Sequence, residues 1–103
     1  MRVDERFLNP AGTVQGGFLC AMADSAMGAA AVSAAGDRKI LVANTEMKVS
    51  FLRRVHEGAH LTCTARVLKA GKLITFVVAH ITDEHEHLVA SASSTYLIKD
   101  RTE

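Results

Sequence analysis

The sequence predicts an α+β fold in which an antiparallel sheet wraps around one long central helix. One stretch, residues 18–35, is rich in Ala and Met and contains no Pro, which is typical of a helix. Four stretches with strand-like patterns follow it, joined mainly by short turns. Strands that are grouped beside one apolar helix usually pack on it as an antiparallel sheet. With 103 residues, the chain is expected to form a single domain over residues 1–103.

Turn residues delimit the elements up to the end of the helix. Residues 2–8 could form a short leading strand, and residues 9–12, with the sequence NPAG, are a turn cluster. Gly16 and Gly17 precede the helix, and Gly36 follows its end. Because the helix is apolar on nearly every face, it is expected to be buried on most sides.

The four later elements are predicted as strands from their composition and from the turns between them. Residues 60–68 alternate between apolar and polar side chains, and residues 73–82 are rich in β-branched ones. The turn at residues 69–72 contains glycine, and the turn at residues 83–87 is polar. The predicted strands are residues 40–52, 60–68, 73–82 and 88–99.

Composition and charge restrict the functional class. A formal net charge of +1 provides no overall attraction to nucleic acid, and 5% aromatic residues are too few for base stacking. We identify no apolar run of about 18 residues, and the charged N-terminus lacks the apolar stretch of a signal peptide, so no membrane partner is expected. Cys20 and Cys63 are predicted to be reduced core thiols, not a disulfide or metal site. These features favour a soluble cytoplasmic protein.

Asp24 is the strongest single indication of chemistry. A carboxylate in an apolar helix is costly to bury unless it is paired or hydrogen-bonded. No Lys or Arg lies within residues 18–35, so the helix itself offers no ion-pair partner. Asp24 therefore either faces solvent at a gap in the sheet, caps a neighbouring loop, or belongs to a functional site.

Gly16 and Gly17 are a candidate oxyanion hole at the start of the helix. Paired glycines leave the backbone N–H groups unobstructed, and a helix N-terminus carries partial positive charge. An ordinary glycine-rich helix start is the alternative. Asp24 lies eight residues beyond Gly16, about 12 Å along the helix, so one chain cannot bring both to one carbonyl group. Either water bridges the gap or the Asp24 of a second subunit completes the site, which favours a site at a dimer interface.

The residues around these glycines resemble a known family. Residues 9–17 have the sequence NPAGTVQGG, and six further residues lead to Asp24. This pattern resembles the signature of the PaaI-type hotdog thioesterases. Residues 44–53, NTEMKVSFLR, look like the second strand of that family, and residues 69–72, KAGK, are similar to its Lys-x-Gly-Lys turn. The resemblance extends from residue 9 to residue 99.

The resemblance implies a hotdog fold with a four- or five-stranded antiparallel sheet, assembled as homodimers that often pair into homotetramers. It implies hydrolysis of an acyl-CoA thioester without a metal or other cofactor. Asp24 would activate water or attack the thioester carbonyl, while the Gly16 N–H would bind the carbonyl oxygen. Asn9 would orient water or the thioester. The substrate-binding positions implied by the resemblance are Gly17, Asn44, Thr45, Phe51, Arg53, Arg54, Lys69, Gly71 and Lys72.

Two groups of these positions have specific implied roles. Asn44 and Thr45 would line the site near the sulfur. Arg53, Arg54 and the turn at residues 69–72 would hold the nucleotide end of CoA. Gln15 stands where the family usually has His, and it can donate an N–H to the carbonyl but cannot carry positive charge.

Functions other than hydrolysis also fit some of these residues. A non-catalytic acyl-CoA-binding module on the same fold is the main alternative, because Gln15 replaces the usual His. A hotdog dehydratase would require an active-site His, which Gln15 removes. His85 and His87 are predicted to belong to a solvated turn, since a metal site needs three or four converging ligands. Retention of Asp24 favours a hydrolase.

Overall fold

The computed structural model describes residues 2–9, 12–13 and 16–100. It confirms the predicted order of one long helix followed by four strands, with boundaries that differ by at most two residues. The helix begins at Gly16 and includes both glycines. The elements are a 3₁₀ helix at Glu5–Phe7, α1 at Gly16–Ala34, β1 at Ile40–Phe51, β2 at Thr62–Ala70, β3 at Ile74–Thr82 and β4 at Leu88–Asp100.

The four strands form one antiparallel sheet in the order β1-β4-β3-β2. Two hairpins connect β2, β3 and β4, whereas β1, the first strand in the sequence, pairs with β4, the last. Because of this order, β1 and β2 are the two edges of the sheet within one chain. The alternation predicted along β2 is confirmed, because Leu61 and Cys63 face inward and Thr62 and Thr64 are exposed.

The helix packs on the sheet along one stripe. Its buried residues, Leu19, Ala23, Met27 and Ala31, recur every four positions and therefore lie on one face. The expectation that the helix is buried on most sides is wrong for the single chain, in which Val32 is 46% exposed. Four strands cover only one side of a helix, so a small-residue apolar face remains open.

α1, with 19 residues, is also long and apolar enough to suit a membrane span. The sequence therefore does contain an apolar stretch of that length. The buried stripe on the sheet is instead what a core helix presents. Gly36, with φ of 62°, follows the helix in the left-handed conformation expected at a helix end.

The predicted leading strand at residues 2–8 is wrong. Asp4 accepts a hydrogen bond from the backbone N–H of Arg6 at 2.9 Å and so caps the 3₁₀ helix Glu5–Phe7. An isolated bridge between Arg2 and His60 is the extended pairing that remains at its start. The local side-chain hydrogen bond competes with strand pairing here.

The β2–β3 turn comprises residues 71–73, one residue later than predicted at its end and two later at its start. A Cβ atom on Gly71 would lie 2.8 Å from the carbonyl oxygen of Ile74, the atom that accepts the Gly71 N–H at 2.9 Å. A backbone acceptor cannot move away without breaking the turn. Glycine is therefore required at this position.

Replacing Gly71 with Ala is expected to lower the free energy of unfolding by about 1–3 kcal/mol, because the added methyl overpacks the turn. Gly17→Ala is the control, since nothing lies within 4 Å of its Cβ position. In a helix this change is neutral or stabilising by about 0.5–1 kcal/mol. Urea denaturation of both variants measures the difference, and equal stability would contradict the steric argument.

Candidate active site

Asp24 lies near the middle of α1 and is held by two hydrogen-bond donors from the sheet. The Tyr96 hydroxyl donates to Asp24 Oδ1 at 2.6 Å, and the Asn44 Nδ2 donates to the same oxygen at 3.0 Å. Asn44 and Tyr96 are directly opposite each other in the β1–β4 pairing, so their side chains share one face of the sheet. The sheet therefore supplies the partners that the helix lacks.

A β-bulge aims the Asn44 amide at Asp24. The β1–β4 register shifts between Asn44 and Glu46, which leaves Thr45 as the extra residue. The Glu46 backbone N–H donates to Asn44 Oδ1 at 3.2 Å, which turns Nδ2 toward Asp24. Nδ2 also lies 3.3 Å from the Ser94 hydroxyl oxygen. These contacts determine which end of the amide faces the carboxylate.

Tyr96 reaches Asp24 from inside the core, where it is only 2% exposed. Burial and the hydrogen bond to Asp24 raise the pKa of the Tyr96 phenol. The phenol therefore remains a donor at neutral pH. Gly28 lies beside the Tyr96 ring, and a Cβ atom there would be 3.9 Å from it.

An open groove of about 580 Å³ runs beside Asp24 between α1 and β1. Its walls are mostly small or apolar, and Asp24 supplies the one carboxylate among its lining residues. Such a groove with a few convergent polar groups is typical of a small-molecule site. The lining residues are Asp24, Ser25, Gly28, Ala29, Val32, Ser33, Val42, Asn44 and Tyr96.

Gly16 and Gly17 are the first two residues of α1, so their N–H groups have no partner one helical turn earlier. The Phe51 ring packs against Gly16, and its Cζ would lie 3.0 Å from a Cβ atom there. Gly16 is about 12 Å along the helix from Asp24 of the same chain. One chain therefore does not bring these two groups together.

Asn9 organises the loop before the helix. Its Oδ1 accepts hydrogen bonds from the Thr13 backbone N–H and hydroxyl, each at 3.2 Å, and its own N–H donates to the Thr13 carbonyl at 2.7 Å. Gly12 has φ of 82° and donates to the Asn9 carbonyl. Gln15 lies outside the described residues.

The basic groups predicted to hold CoA lie at opposite ends of the sheet in one chain. Arg53 and Arg54 follow β1 and line a cavity of about 490 Å³ together with the turn at residues 83–87. Lys72 and Gly71 line a different cavity of about 390 Å³, near the C-terminal end of α1, where Arg38 donates to the Lys72 carbonyl.

The remaining predicted positions do not reach Asp24. The exposed hydroxyl of Thr45 donates to the Thr95 carbonyl at 2.8 Å, across the strand pair. Lys69 is exposed on β2, the edge strand farthest from β1. Of the predicted positions, the structure therefore brings Asn44 alone into hydrogen-bond contact with Asp24 among the residues described.

Tyr96 is the site residue that sequence reasoning missed. It is the sole tyrosine of the chain. The β4 alternation assigns it to the inner face with Ser94 and Ile98, and a buried phenol hydroxyl usually has a partner. That signal predicts a hydrogen bond but does not identify Asp24 as its acceptor.

The histidine turn is organised by its own backbone. Asp83 Oδ1 accepts the backbone N–H groups of His85 and His87, each at 2.9 Å. Within residues 2–9, 12–13 and 16–100, no three His, Cys, Asp or Glu side chains converge as metal ligands. Cys20 and Cys63 are half-buried free thiols.

Residues 11–90 match the family model of the thioesterase superfamily. A phenylacetic acid degradation-related protein from Ralstonia eutropha JMP134 is 31% identical, with a TM-score of 0.83 over 93% of this chain and 70% of its own. The PaaI protein of E. coli, from the phenylacetic acid degradation operon, is 25% identical, with a TM-score of 0.87 over 99% and 71%.

A Streptococcus mutans protein bound to acetyl-CoA is 19% identical, with a TM-score of 0.91 over 100% of this chain and 80% of its own. At that identity the likeness concerns the fold alone. A sequence search of curated proteins found no match. The family match and the structural likeness confirm the predicted hotdog fold and the resemblance to PaaI-type thioesterases.

Proposed function

Because this chain belongs to the thioesterase superfamily, we propose that it hydrolyses acyl-CoA thioesters to a free acid and CoA with Asp24 as its catalytic carboxylate. The observation that carries this proposal is a carboxylate held by two donors at the side of an apolar groove. The Streptococcus mutans protein, which has the same fold, is bound to acetyl-CoA, a ligand of the proposed class.

Asp24 supports two routes through the same oxygen. As a base, Oδ2 takes a proton from water while the water oxygen attacks the thioester carbonyl carbon. As a nucleophile, Oδ2 itself attacks, forming a mixed anhydride that water then hydrolyses. In both routes the C–S bond breaks, and the sulfur of CoA leaves as a thiolate that takes up a proton.

The oxyanion formed in either route needs donors that Asp24 cannot supply. The Gly16 N–H at the start of α1 is proposed as the main donor, with the amide of Gln15 as a second one. Asn9 is proposed to fix the conformation of the loop before α1, because its side-chain oxygen accepts two hydrogen bonds from Thr13. Since Gly16 and Asp24 of one chain are too far apart, we propose that a second subunit contributes Gly16.

The β1 edge is the proposed interface of this homodimer. Asp24 lies close to β1, because Asn44 of β1 donates a hydrogen bond to it. The other edge strand, β2, is three strand spacings, about 14 Å, from β1. Two β1 edges pairing about a two-fold axis would create two equivalent sites with one self-complementary interface. The open face of α1 would then be covered by the partner subunit. Such dimers are proposed to pair further into a tetramer.

This arrangement also accounts for the separated basic groups. If β1 pairs antiparallel with its copy, Arg53 and Arg54 of one subunit lie at the same end of the joined sheet as the turn at residues 69–72 of the partner. We propose that these groups hold the nucleotide end of CoA from two subunits. Thr45, exposed on the β1 edge, would face the interface near the thioester sulfur.

A hydrolysis screen against short, medium and aromatic acyl-CoAs, measured by release of free thiol, tests the proposed activity. Release of CoA from at least one class of substrate is expected. Binding measured by calorimetry distinguishes hydrolysis from the alternative, a non-catalytic acyl-CoA-binding module. The replacement of the usual His by Gln15 favours that alternative. An acyl-CoA that binds without being hydrolysed would indicate a binding module, and neither binding nor hydrolysis would refute both.

A further inference from the structure

We propose that Tyr96 is a positioning residue whose hydroxyl, together with the Asn44 amide, leaves Oδ2 of Asp24 as the single oxygen able to react. This inference rests on the proposed function and goes beyond it, because it assigns unequal roles to the two oxygens of one carboxylate. It also gives the buried tyrosine a function in turnover. The lone pairs that remain available on each carboxylate oxygen decide which oxygen reacts.

Both donors are bound to the same oxygen. An ionised carboxylate has about two lone-pair directions on each oxygen. The Tyr96 hydroxyl at 2.6 Å and the Asn44 Nδ2 at 3.0 Å occupy those of Oδ1. No residue in the described part of the chain donates a hydrogen bond to Oδ2. Oδ2 therefore retains the lone pairs that can accept a proton from water or attack a carbonyl carbon.

Tyr96 also restrains the carboxylate in space. The hydroxyl oxygen lies 3.0 Å from the Asp24 backbone carbonyl as well as 2.6 Å from Oδ1. A phenol has one hydrogen, so it donates to the nearer, charged acceptor, and charge-assisted bonds of this length are strong. Because Tyr96 is buried in β4, this contact ties the Asp24 side chain to the rigid centre of the sheet.

Tyr96→Phe keeps the ring and removes the hydroxyl. We expect kcat for the best acyl-CoA to fall about 10-fold, the value of one hydrogen bond to a charged group. KM should change little, because the Tyr96 hydroxyl donates its hydrogen to Asp24 and therefore affects turnover through Asp24, not by binding the substrate. Thr64→Val is the control, since it removes an exposed hydroxyl from β2, away from Asp24, and should leave kcat unchanged.

A double-mutant cycle tests whether Tyr96 acts through Asp24. In an Asp24→Asn background, Tyr96→Phe should cause no further loss of activity. An unchanged kcat in the single Tyr96→Phe variant, or the same additional loss in both backgrounds, would overturn the positioning role.

A spectroscopic readout is independent of activity. The chain contains one Tyr and no Trp, so phenolate absorbance during an alkaline titration reports on Tyr96 alone. Burial and the bond to Asp24 raise the pKa of Tyr96, so Asp24→Asn should shift the titration to lower pH. Superimposable titration curves would mean that the hydroxyl does not bind Asp24 in solution, which overturns the inference.

These outcomes separate the inference from the function on which it rests. Wild-type hydrolysis with an unaffected Tyr96→Phe variant would remove the positioning role and leave the thioesterase proposal intact. A folded wild-type chain that hydrolyses no acyl-CoA would remove both, even if the titration shows that Tyr96 and Asp24 interact.

Discussion

Asp24→Asn is expected to lower kcat for the best acyl-CoA by about 10²-fold or more, because it removes the group that accepts a proton or attacks the thioester. The substitution is selective. The amide oxygen of the new side chain can still accept from Tyr96 and Asn44, while its NH₂ group replaces Oδ2. The variant should therefore fold normally and lack a reactive oxygen.

Steady-state turnover and thermal unfolding of the Asp24→Asn variant measure these two effects separately. Asp37→Asn is the matched control, because it makes the same chemical change at an exposed carboxylate just after α1. Turnover of the Asp24→Asn variant within a few-fold of wild type would show that another group performs the chemistry. For the wild type, a single turnover in water labelled with heavy oxygen tests the nucleophilic route, since label enters the Asp24 carboxylate only when an anhydride is hydrolysed at the Asp24 carbonyl carbon.

Mixing an Asp24→Asn chain with a Gly16→Pro chain is expected to restore activity that neither chain has alone. Gly16 is the first residue of α1, where Pro fits a helix, and Pro removes the N–H. Loss of one oxyanion donor should lower kcat by about 10²-fold or more. In a mixed dimer, one of the two sites takes an intact Asp24 and an intact Gly16 from different subunits. Random exchange should restore about one quarter of the wild-type sites.

Gly16→Ala is the matched control for this experiment. It places the same Cβ atom against the Phe51 ring but retains the N–H, so any steric loss appears in both variants. Activity should be closer to wild type in Gly16→Ala than in Gly16→Pro. Size-exclusion chromatography with light scattering should detect a dimer or tetramer at micromolar concentration. A stable and fully active monomer, or folded mixed dimers without restored activity, would contradict the shared site.

The sequence predicted the elements of the fold because their signals are local. Alternation along β2 and the helix-forming residues of α1 involve neighbours within a few positions, and the structure confirms both. The leading-strand prediction is wrong because Asp4 caps a 3₁₀ helix, accepting hydrogen bonds from the backbone and the side chain of Arg6. Such a competition between local and sheet hydrogen bonds is decided by the tertiary pairing available to each segment.

Asp24 is recognisable as unusual from the sequence alone, since a carboxylate in an apolar helix stands out without any knowledge of its neighbours. The groups that hold it come together only when the chain folds. Tyr96 is 72 residues from Asp24, and the contact exists because β1 and β4 pair with Asn44 opposite Tyr96 beneath α1. A bulge at Thr45 then aims the amide, and the antiparallel pairing of the strands places Arg53 and Lys72 of one chain at opposite ends of the sheet. Contacts between distant residues depend on register and strand order, which result from packing the whole core and are not encoded in any short segment.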